Sequence, residues 1–151
     1  MTTMTTTIVF LTLAALAGAM VPYNYYEFAV QNWVDGSYQI HGLWPAYSTG
    51  VYPVNCTNTP YQFIKPPLVN TMLTYWNAYP DENQQFWAHQ WFAYGTCMQQ
   101  QTGANQTKYF EKALSLFMTV LPENTTWTCG ESVDCVIACF DLDYVRMSCR
   151  T

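Results

Sequence analysis

The segment FWAHQWFAYGTC occupies residues 86–97 and is the most informative stretch of the chain. Its large side chains recur at helical spacing, which predicts a helix over residues 84–94. Gly95 follows directly, and glycine commonly stands where a helix ends. We therefore expect a mostly apolar helix that ends at Gly95, just before Cys97. The larger residues of this predicted helix are Phe86, Trp87, Trp91 and Tyr94.

The sequence contains two histidines, His89 inside this segment and His41 in IHGLWP at residues 40–45. Both stand among bulky apolar residues, an unusual setting for a side chain that titrates near neutral pH. Taken singly, each is explained more simply as a hydrogen-bonded core residue. Taken as a pair, the two histidines favour an acid–base site.

Strand patterns precede the helical region. Residues 25–33, YYEFAVQNW, and residues 37–43, SYQIHGL, are rich in aromatic and β-branched residues and predict neighbouring strands. Asp35-Gly36 between them is typical of a turn, so the two strands are expected to form a hairpin or to lie side by side. His41 then lies near the end of the second strand.

The remaining elements follow in order along the chain. Residues 46–67 predict a proline-rich loop, and Pro67 suits the start of a helix that ends at residues 79–81. Residues 109–120, YFEKALSLFMTV, form the clearest amphipathic helix. Two short strands, over residues 133–140 and 144–147, are predicted to close the domain.

Length and composition favour one folded domain. The chain has 151 residues, of which 50% are hydrophobic and 17% aromatic. An apolar run at residues 8–19 ends in Ala17-Gly18-Ala19, small residues at the spacing of a signal-peptidase site. This pattern predicts a secretory leader over residues 1–19 and a single domain over residues 20–151. The run is too short for a membrane anchor, which needs about 20 residues, and no other segment is expected to span a membrane.

Charge and cysteine content narrow the function classes. A formal net charge of −5 with only five Lys and Arg residues excludes a broad basic face, so a nucleic acid would need a small local site. Six cysteines behind a leader predict up to three disulfides. The spacing of Cys135 and Cys139 does not match a zinc pattern, and we expect no metal and no cofactor. Sequons beginning at Asn55, Asn105 and Asn124 predict a glycoprotein.

IHGLWP and FWAHQWFAYGTC resemble the two signature segments of the ribonuclease T2 family, and the first match is complete. YEFAVQNW is similar to the family's first core strand, VYPVNC to its loop cysteine and YFEKALSL to its next helix. The family cleaves single-stranded RNA outside the cytosol without a metal, through a 2′,3′-cyclic phosphate. The resemblance implies an α+β fold in which an antiparallel β-sheet packs against several helices.

The resemblance also implies a disulfide pattern on a shortened scaffold. It pairs Cys56 with Cys97 and Cys139 with Cys149, and it leaves Cys129 and Cys135 as a provisional pair. The family usually has a longer helical region before its final strands, whereas here Leu121-Pro122 leads almost directly to Cys129.

The second signature departs from the family pattern F-W-x-H-E-W-x-K-H-G-T-C at three positions. Gln90 replaces an acid, Ala93 a lysine and Tyr94 a histidine. The resemblance implies that the residue at position 94 removes the proton from the ribose 2′-hydroxyl. It also implies that His41 protonates the leaving oxygen and that His89 holds the phosphate. A phenol, with an ordinary pKa of about 10, stays protonated at neutral pH, and losing a general base costs about 10²–10⁴ in rate.

Helical geometry groups these positions into one cleft. Gln90 and Tyr94 lie four residues apart and are expected to share a face, with His89 and Ala93 on the adjoining face. Trp44, in the first signature, is the expected substrate contact beside His89, and it can both pack and stack.

Three functional hypotheses remain open. The first is a secreted protein that has lost most or all catalysis and binds a protein partner, single-stranded RNA or a nucleotide-like ligand. The second is an active metal-independent endoribonuclease in which His89 serves as base and His41 as acid. The third is a structural subunit of a larger assembly, because the aromatic content exceeds what one small core obviously needs.

Overall fold

A computed structural model describes residues 21–33, 36–78, 82–119, 126–128 and 134–149. Several predictions concern other residues and lie outside the described ones. They are the leader over residues 1–19, Asp35 in the first turn, Cys129, and the sequon at Asn124. The predicted helix end at residues 79–81 is wrong, because the helix that follows Pro67 ends at Tyr75 and residues 76–78 are not helical.

The chain runs from strands to helices and back to strands. The elements are β1 (Tyr25–Asn32), β2 (Tyr38–Ala46), α1 (Leu68–Tyr75), α2 (Asn83–Gln90), α3 (Thr96–Thr102), α4 (Gln106–Thr119), β3 (Thr126–Thr128), β4 (Asp134–Phe140) and β5 (Arg146–Met147). A single π-helical turn, Trp91–Gly95, joins α2 to α3. The expected α+β class, an antiparallel sheet packed against several helices, is confirmed.

The described strands form an antiparallel sheet in the order β2-β1-β4-β3, with β5 paired to β4. β1 lies between two partners, and its first six residues are all buried. On one face Tyr26, Phe28 and Val30 join the main core under the helices. On the other face Tyr25 and Cys139 belong to a second, smaller cluster. Both faces of β1 are therefore covered along most of its length.

A β-bulge interrupts the pairing of β1 with β2 at His41. Ala29 pairs with Gly42 and Val30 pairs with Ile40, so His41 is the extra residue on β2. In a regular strand, residues three apart point to opposite faces. Across the bulge His41 and Trp44 instead come together, with ring centroids 5.5 Å apart.

The helices dock through buried tryptophans, and two of these have hydrogen-bonded indole N–H groups. Trp87 and Trp91 are fully buried. The Trp87 Nε1–H donates to the Trp76 carbonyl at 2.7 Å, and the Trp91 Nε1–H donates to the Thr59 carbonyl at 3.1 Å. Hydrogen bonding removes most of the penalty for burying an indole N–H, so these residues contribute their full apolar area to packing. None of the helices in the described residues has the length and apolarity needed to cross a membrane.

The prediction that the helix ends at Gly95 is wrong. Gly95 has a helical φ of −61°, and the helical path continues to Thr102 and stops at Gly103, whose φ is +74°. A Cβ at Gly95 would lie 2.3 Å from the Trp91 ring and 3.1 Å from the Tyr109 ring. The glycine is therefore needed for close packing between aromatic rings, and the left-handed C-cap belongs to Gly103.

Two disulfides agree with the pairing that the resemblance implied. Cys56 is bonded to Cys97 and Cys139 to Cys149. Cys135 is also disulfide-bonded. The Cys56–Cys97 bond ties the long loop to the start of α3, and the Asn55 N–H donates to the Ala93 carbonyl at 3.0 Å. The loop is thereby held alongside the π-helical turn.

Candidate functional site

His41 is half-buried at the bulge of β2. Its ring lies against Phe86 of α2, with centroids 6.3 Å apart and planes 27° from parallel. Its Nδ1 is 3.5 Å from Sγ of Cys135. A disulfide sulfur has no hydrogen to donate, so a hydrogen bond here requires Nδ1–H as the donor and leaves Nε2 unprotonated in the neutral ring. Burial lowers the pKa of His41 below its ordinary value.

Trp44 is the centre of the site. Its Nε1–H donates to Oε1 of Gln90 at 3.3 Å, which links β2 to the end of α2. Its ring centroid lies 5.8 Å from that of Tyr94 and 5.8 Å from that of Tyr52. Together with His41, Trp44 therefore joins side chains from the first signature, the loop and the second signature.

Gly42 permits this close approach. A Cβ at this position would lie 2.1 Å from Nε1 of Trp44 and 2.5 Å from Oε1 of Gln90. A Cβ does not come this close to an atom that is not bonded to it, so any side chain at position 42 would displace the indole or the amide. The glycine of IHGLWP is thus required by the hydrogen bond that joins the two signature segments.

The π-helical turn changes which residues of the second signature lie together. Its hydrogen bonds run from i to i+5, so residues before and after it are rotated relative to their positions in a regular α-helix. Gln90 is 3% exposed and Ala93 is 7% exposed, whereas His89 is exposed. The expectation that His89 and Ala93 share one face is therefore wrong. The His89 side chain has no hydrogen bond or ring contact with any described residue.

Tyr94 is half-buried against two aromatic side chains. Its ring is 5.8 Å from Trp44 and meets the edge of Tyr52 at 6.4 Å. Burial raises the pKa of the Tyr94 phenol above its ordinary value of 10.0. The phenol therefore stays protonated and can donate hydrogen bonds at neutral pH, and a smaller fraction of it than of an exposed tyrosine is present as the phenolate that could accept a proton.

Glu27 is a buried acid near the site that sequence reasoning missed. It is 7% exposed on β1, where it pairs with Trp44 across the strands. Its carboxyl group accepts hydrogen bonds from the hydroxyls of Tyr25 at 2.9 Å and Tyr52 at 2.5 Å. The available signal was an acid in an otherwise apolar strand, flanked two residues earlier by a tyrosine on the same face. These bonds place Tyr52 over Trp44 and Tyr94.

A cavity of about 900 Å³ lies elsewhere on the molecule. It is lined by residues 59–68 of the loop, by Trp91 and Gln99, and by residues near the start of α4. None of His41, Trp44, Gln90 and Tyr94 lines it. The site around His41 is thus a packed aromatic surface and does not share this cavity.

The family assignment rests on a sequence profile as well as on the site. The profile described as the Ribonuclease T2 family matches residues 23–128, well over half of the chain. The chain belongs to the ribonuclease T2 family. This T2 domain is 38% identical over 107 residues to the extracellular ribonuclease LE of Solanum lycopersicum, covering 64% of this chain and 46% of that protein. It is 36% identical over 89 residues to the ribonuclease T2 protein rnst-2 of Caenorhabditis elegans, covering 56% of this chain and 30% of that protein.

Solved structures show the same T2 fold. A point mutant of ribonuclease MC1 in complex with 5′-UMP superposes with a TM-score of 0.65 at 23% identity, covering 82% of this chain and 91% of that chain. The self-incompatibility-associated SF11-RNase of Nicotiana alata superposes with a TM-score of 0.65 at 18% identity, covering 83% of this chain and 90% of that chain. By sequence, this T2 domain matches less than half the length of the two curated relatives above.

We expect the free energy of unfolding of this T2 domain to fall as the pH drops below about 6.5, the ordinary histidine pKa. Burial lowers the pKa of His41 in the folded chain, so between the two pKa values the unfolded state binds more protons. Stability then rises with pH across that window. Urea denaturation of the His41→Gln variant at pH 7 and pH 5 should show a shallower dependence than the wild type.

The experiment is repeated in a His89→Gln background. His41 is then the only histidine of the chain, so a difference in slope between the two proteins is due to that residue. An unchanged slope in the His41→Gln variant would contradict the assignment of this pH dependence to His41.

Proposed function

We propose that this protein is a secreted, catalytically impaired member of the ribonuclease T2 family that binds single-stranded RNA or a nucleotide-like ligand through the surface around His41 and Trp44. The observation that carries the proposal is the half-buried phenol of Tyr94, whose pKa is raised by burial, at the position where the family pattern has a histidine.

The chemistry of RNA cleavage explains the impairment. Attack by the ribose 2′-hydroxyl needs a group that accepts its proton, and departure of the 5′-oxygen needs a group that donates one. The Tyr94 phenol cannot accept that proton at neutral pH. His41 keeps the imidazole, but its lowered pKa leaves less of the protonated donor at a given pH. The missing proton acceptor and the smaller fraction of protonated His41 both lower the rate of cleavage.

The transition state is also less well stabilised. Cleavage passes through a phosphorane with additional negative charge. The family pattern has a lysine and a carboxylic acid at the positions expected beside this phosphorane. Ala93 and Gln90 supply neither charge nor acid at these positions. Removing one preorganised electrostatic contact costs about 10²–10³ in rate, although coupled residues do not contribute additively.

Binding of a nucleotide needs neither a general base nor a cation, because stacking and uncharged hydrogen bonds can supply the affinity. Trp44 offers a partly exposed indole, and stacking of one base on an aromatic ring is worth about 1–3 kcal/mol. Gln90 and Tyr94 add uncharged hydrogen-bonding groups beside it. Solved ribonucleases of this fold were found in complex with 5′-UMP and 5′-AMP, which supports a nucleotide as the ligand class.

The secretory part of the proposal rests on disulfides and on the leader-like segment over residues 1–19, followed by one domain over residues 20–151. Disulfides form mainly in oxidising compartments, and the described part of the chain contains the Cys56–Cys97 and Cys139–Cys149 bonds. Ribonuclease LE of Solanum lycopersicum, one of the relatives above, is described as extracellular. Passage through the secretory pathway would also expose the sequons to N-glycosylation.

A binding assay tests the proposal. The purified full-length protein is titrated with 5′-UMP and with a single-stranded RNA oligonucleotide, and tryptophan fluorescence is measured. We expect saturable binding that weakens about tenfold in a Trp44→Ala variant, since one lost stacking contact is worth about 1.4 kcal/mol. Tyr38→Ala, an exposed aromatic at the other end of β2, is the matched control and should bind normally.

The alternatives predict different results in the same preparations. An active enzyme that uses His89 as base would cleave the oligonucleotide to a cyclic phosphate, and a His89→Ala variant would lose that activity. An assembly subunit or a protein-binding role would leave the protein without saturable nucleotide binding. Either result would overturn the proposed function.

A further inference from the structure

A sequon, Asn105-Gln106-Thr107, begins just before α4 and continues into its first turn. The proposed RNA-binding surface does not use it. Asn105 is exposed, and its Oδ1 accepts a hydrogen bond from the backbone N–H of Lys108 at 2.9 Å, which caps α4. Its Nδ2 has no hydrogen-bond partner among the described residues. N-glycosylation uses Nδ2, so a glycan can be attached without breaking the cap.

An exposed aromatic ring lies beside this sequon. The cavity of about 900 Å³ is lined by all three sequon residues and by the loop that contains Phe63. The Gln106 side chain donates to the Gln62 carbonyl at 2.7 Å and accepts from the Gln62 N–H at 2.8 Å. This pair of hydrogen bonds fixes the loop against the start of α4. Phe63 is nevertheless 73% exposed.

The sequon at Asn55 is less suitable in the folded chain. In the sequon at Asn55, the middle residue Cys56 is held in a disulfide, and the Thr57 hydroxyl donates to Oε1 of Gln99 at 3.0 Å. The exposed Thr107 hydroxyl, by contrast, has no hydrogen bond within the described residues. The sequon at Asn105 therefore stays open to a transferase after the domain has folded.

We propose that Asn105 bears an N-linked glycan and that its first N-acetylglucosamine packs in this cavity against Phe63. In the transfer, Nδ2 forms a bond to the anomeric carbon of a sugar carried on a lipid diphosphate. The anomeric carbon–oxygen bond breaks, the lipid diphosphate leaves with the electron pair, and Nδ2 loses one proton. The apolar face of the sugar then covers the exposed ring and removes it from water.

The first experiment measures occupancy and separates this inference from the proposed secretion on which it rests. The full chain is expressed in a eukaryotic host in two forms, one unmodified and one behind a heterologous leader, and chymotryptic glycopeptides, which separate Asn55 from Asn105, are analysed by mass spectrometry. We expect a glycan at Asn105 in both forms. Thr107→Ala should abolish it and Thr107→Ser should retain it.

Each pattern of occupancy has a distinct meaning. A glycan only behind the heterologous leader would overturn the proposed secretion and leave the Asn105 site standing. An unmodified Asn105 in the secreted form, or glycans only at Asn55 or Asn124, would overturn the site. Occupancy in Thr107→Ala would place the modification outside the sequon and would also overturn it.

The second experiment tests the contact with Phe63. In an Asn55→Gln, Asn124→Gln background, the glycan is trimmed to one sugar or removed completely, which leaves an aspartate that still caps the helix. We expect the single-sugar form to keep the full melting temperature and the sugar-free form to melt about 2–4 °C lower. Phe63→Ala should abolish this difference. Phe92→Ala, an exposed aromatic outside the cavity, should retain it. A difference that persists in Phe63→Ala would overturn the packing.

Discussion

Replacing Tyr94→His and Gln90→Glu together should raise cleavage of single-stranded RNA by about 10²–10⁴ over the wild-type protein. An imidazole at position 94 has an ordinary pKa of about 6.5 and can accept the proton that the buried phenol cannot. Glutamate at position 90 has the shape of glutamine, and its oxygen can still accept the hydrogen bond from Trp44. The measurement is the initial rate of cyclic-phosphate formation from an oligonucleotide at pH 5 and pH 7.

Two controls make the gain specific. Tyr94→Phe with Gln90→Glu removes the hydroxyl without adding a base, so its rate should stay at the wild-type level. His41→Ala in the restored protein should abolish the gain, because His41 is the proposed proton donor. If the restored protein is folded and shows no gain, the assignment of position 94 as the site of the lost base is wrong. Wild-type cleavage that His41→Ala abolishes, at a rate equal to that of the restored protein, would contradict the proposed impairment.

Gly42→Ala should lower the free energy of unfolding by about 1–3 kcal/mol and weaken nucleotide binding at least as much as Trp44→Ala. The added methyl would lie 2.1 Å from the Trp44 indole nitrogen. The Gln90 side chain can rotate away, but the indole is rigid and must move as a whole. Its hydrogen bond to Gln90 and its contact with Tyr94 are then lost. Urea denaturation and the fluorescence titration measure the two effects.

Gly50→Ala separates this steric effect from the general cost of replacing a glycine. Gly50 has a φ of +78° and open space around it, so alanine there strains only the backbone, by about 1–2 kcal/mol. This variant should lose stability and keep nucleotide binding. Equal binding by Gly42→Ala and wild type would show that the Trp44–Gln90 contact does not support the binding surface.

Local pattern predicted the elements whose residues interact mainly with near neighbours in sequence. The aromatic and β-branched residues of YYEFAVQNW predicted β1, and the apolar spacing in YFEKALSLFMTV predicted α4, which the structure places at Gln106–Thr119. Both signals lie within one segment of the chain, so they can be recognised without tertiary information. The Cys56–Cys97 and Cys139–Cys149 pairs came from the family resemblance, because spacing alone leaves fifteen possible connectivities for six cysteines.

Errors occurred where one residue serves a partner that is distant in sequence. Gly95 has the local signature of a helix end, yet it lies within a continuous helical path because the Trp91 and Tyr109 rings leave no room for a Cβ. The π-helical turn at Trp91–Gly95 has no local signature and alters the grouping of His89 with Ala93. In the same way, Glu27 of β1 is connected to the site by its hydrogen bond with Tyr52. Tyr52 lies in the loop that the Cys56–Cys97 bond ties to α3.

The sequence by itself determined the residue types at the altered signature positions, and hence that a phenol, an amide and a methyl group replace a base, an acid and a cation. That conclusion depends on covalent chemistry, which folding does not change. The tertiary structure decided where these groups lie: a bulge brings His41 beside Trp44, burial shifts the pKa values of His41 and Tyr94 in opposite directions, and His89 remains exposed. Pairing register and desolvation arise from contacts between segments far apart in the chain, so they cannot be inferred from any one segment.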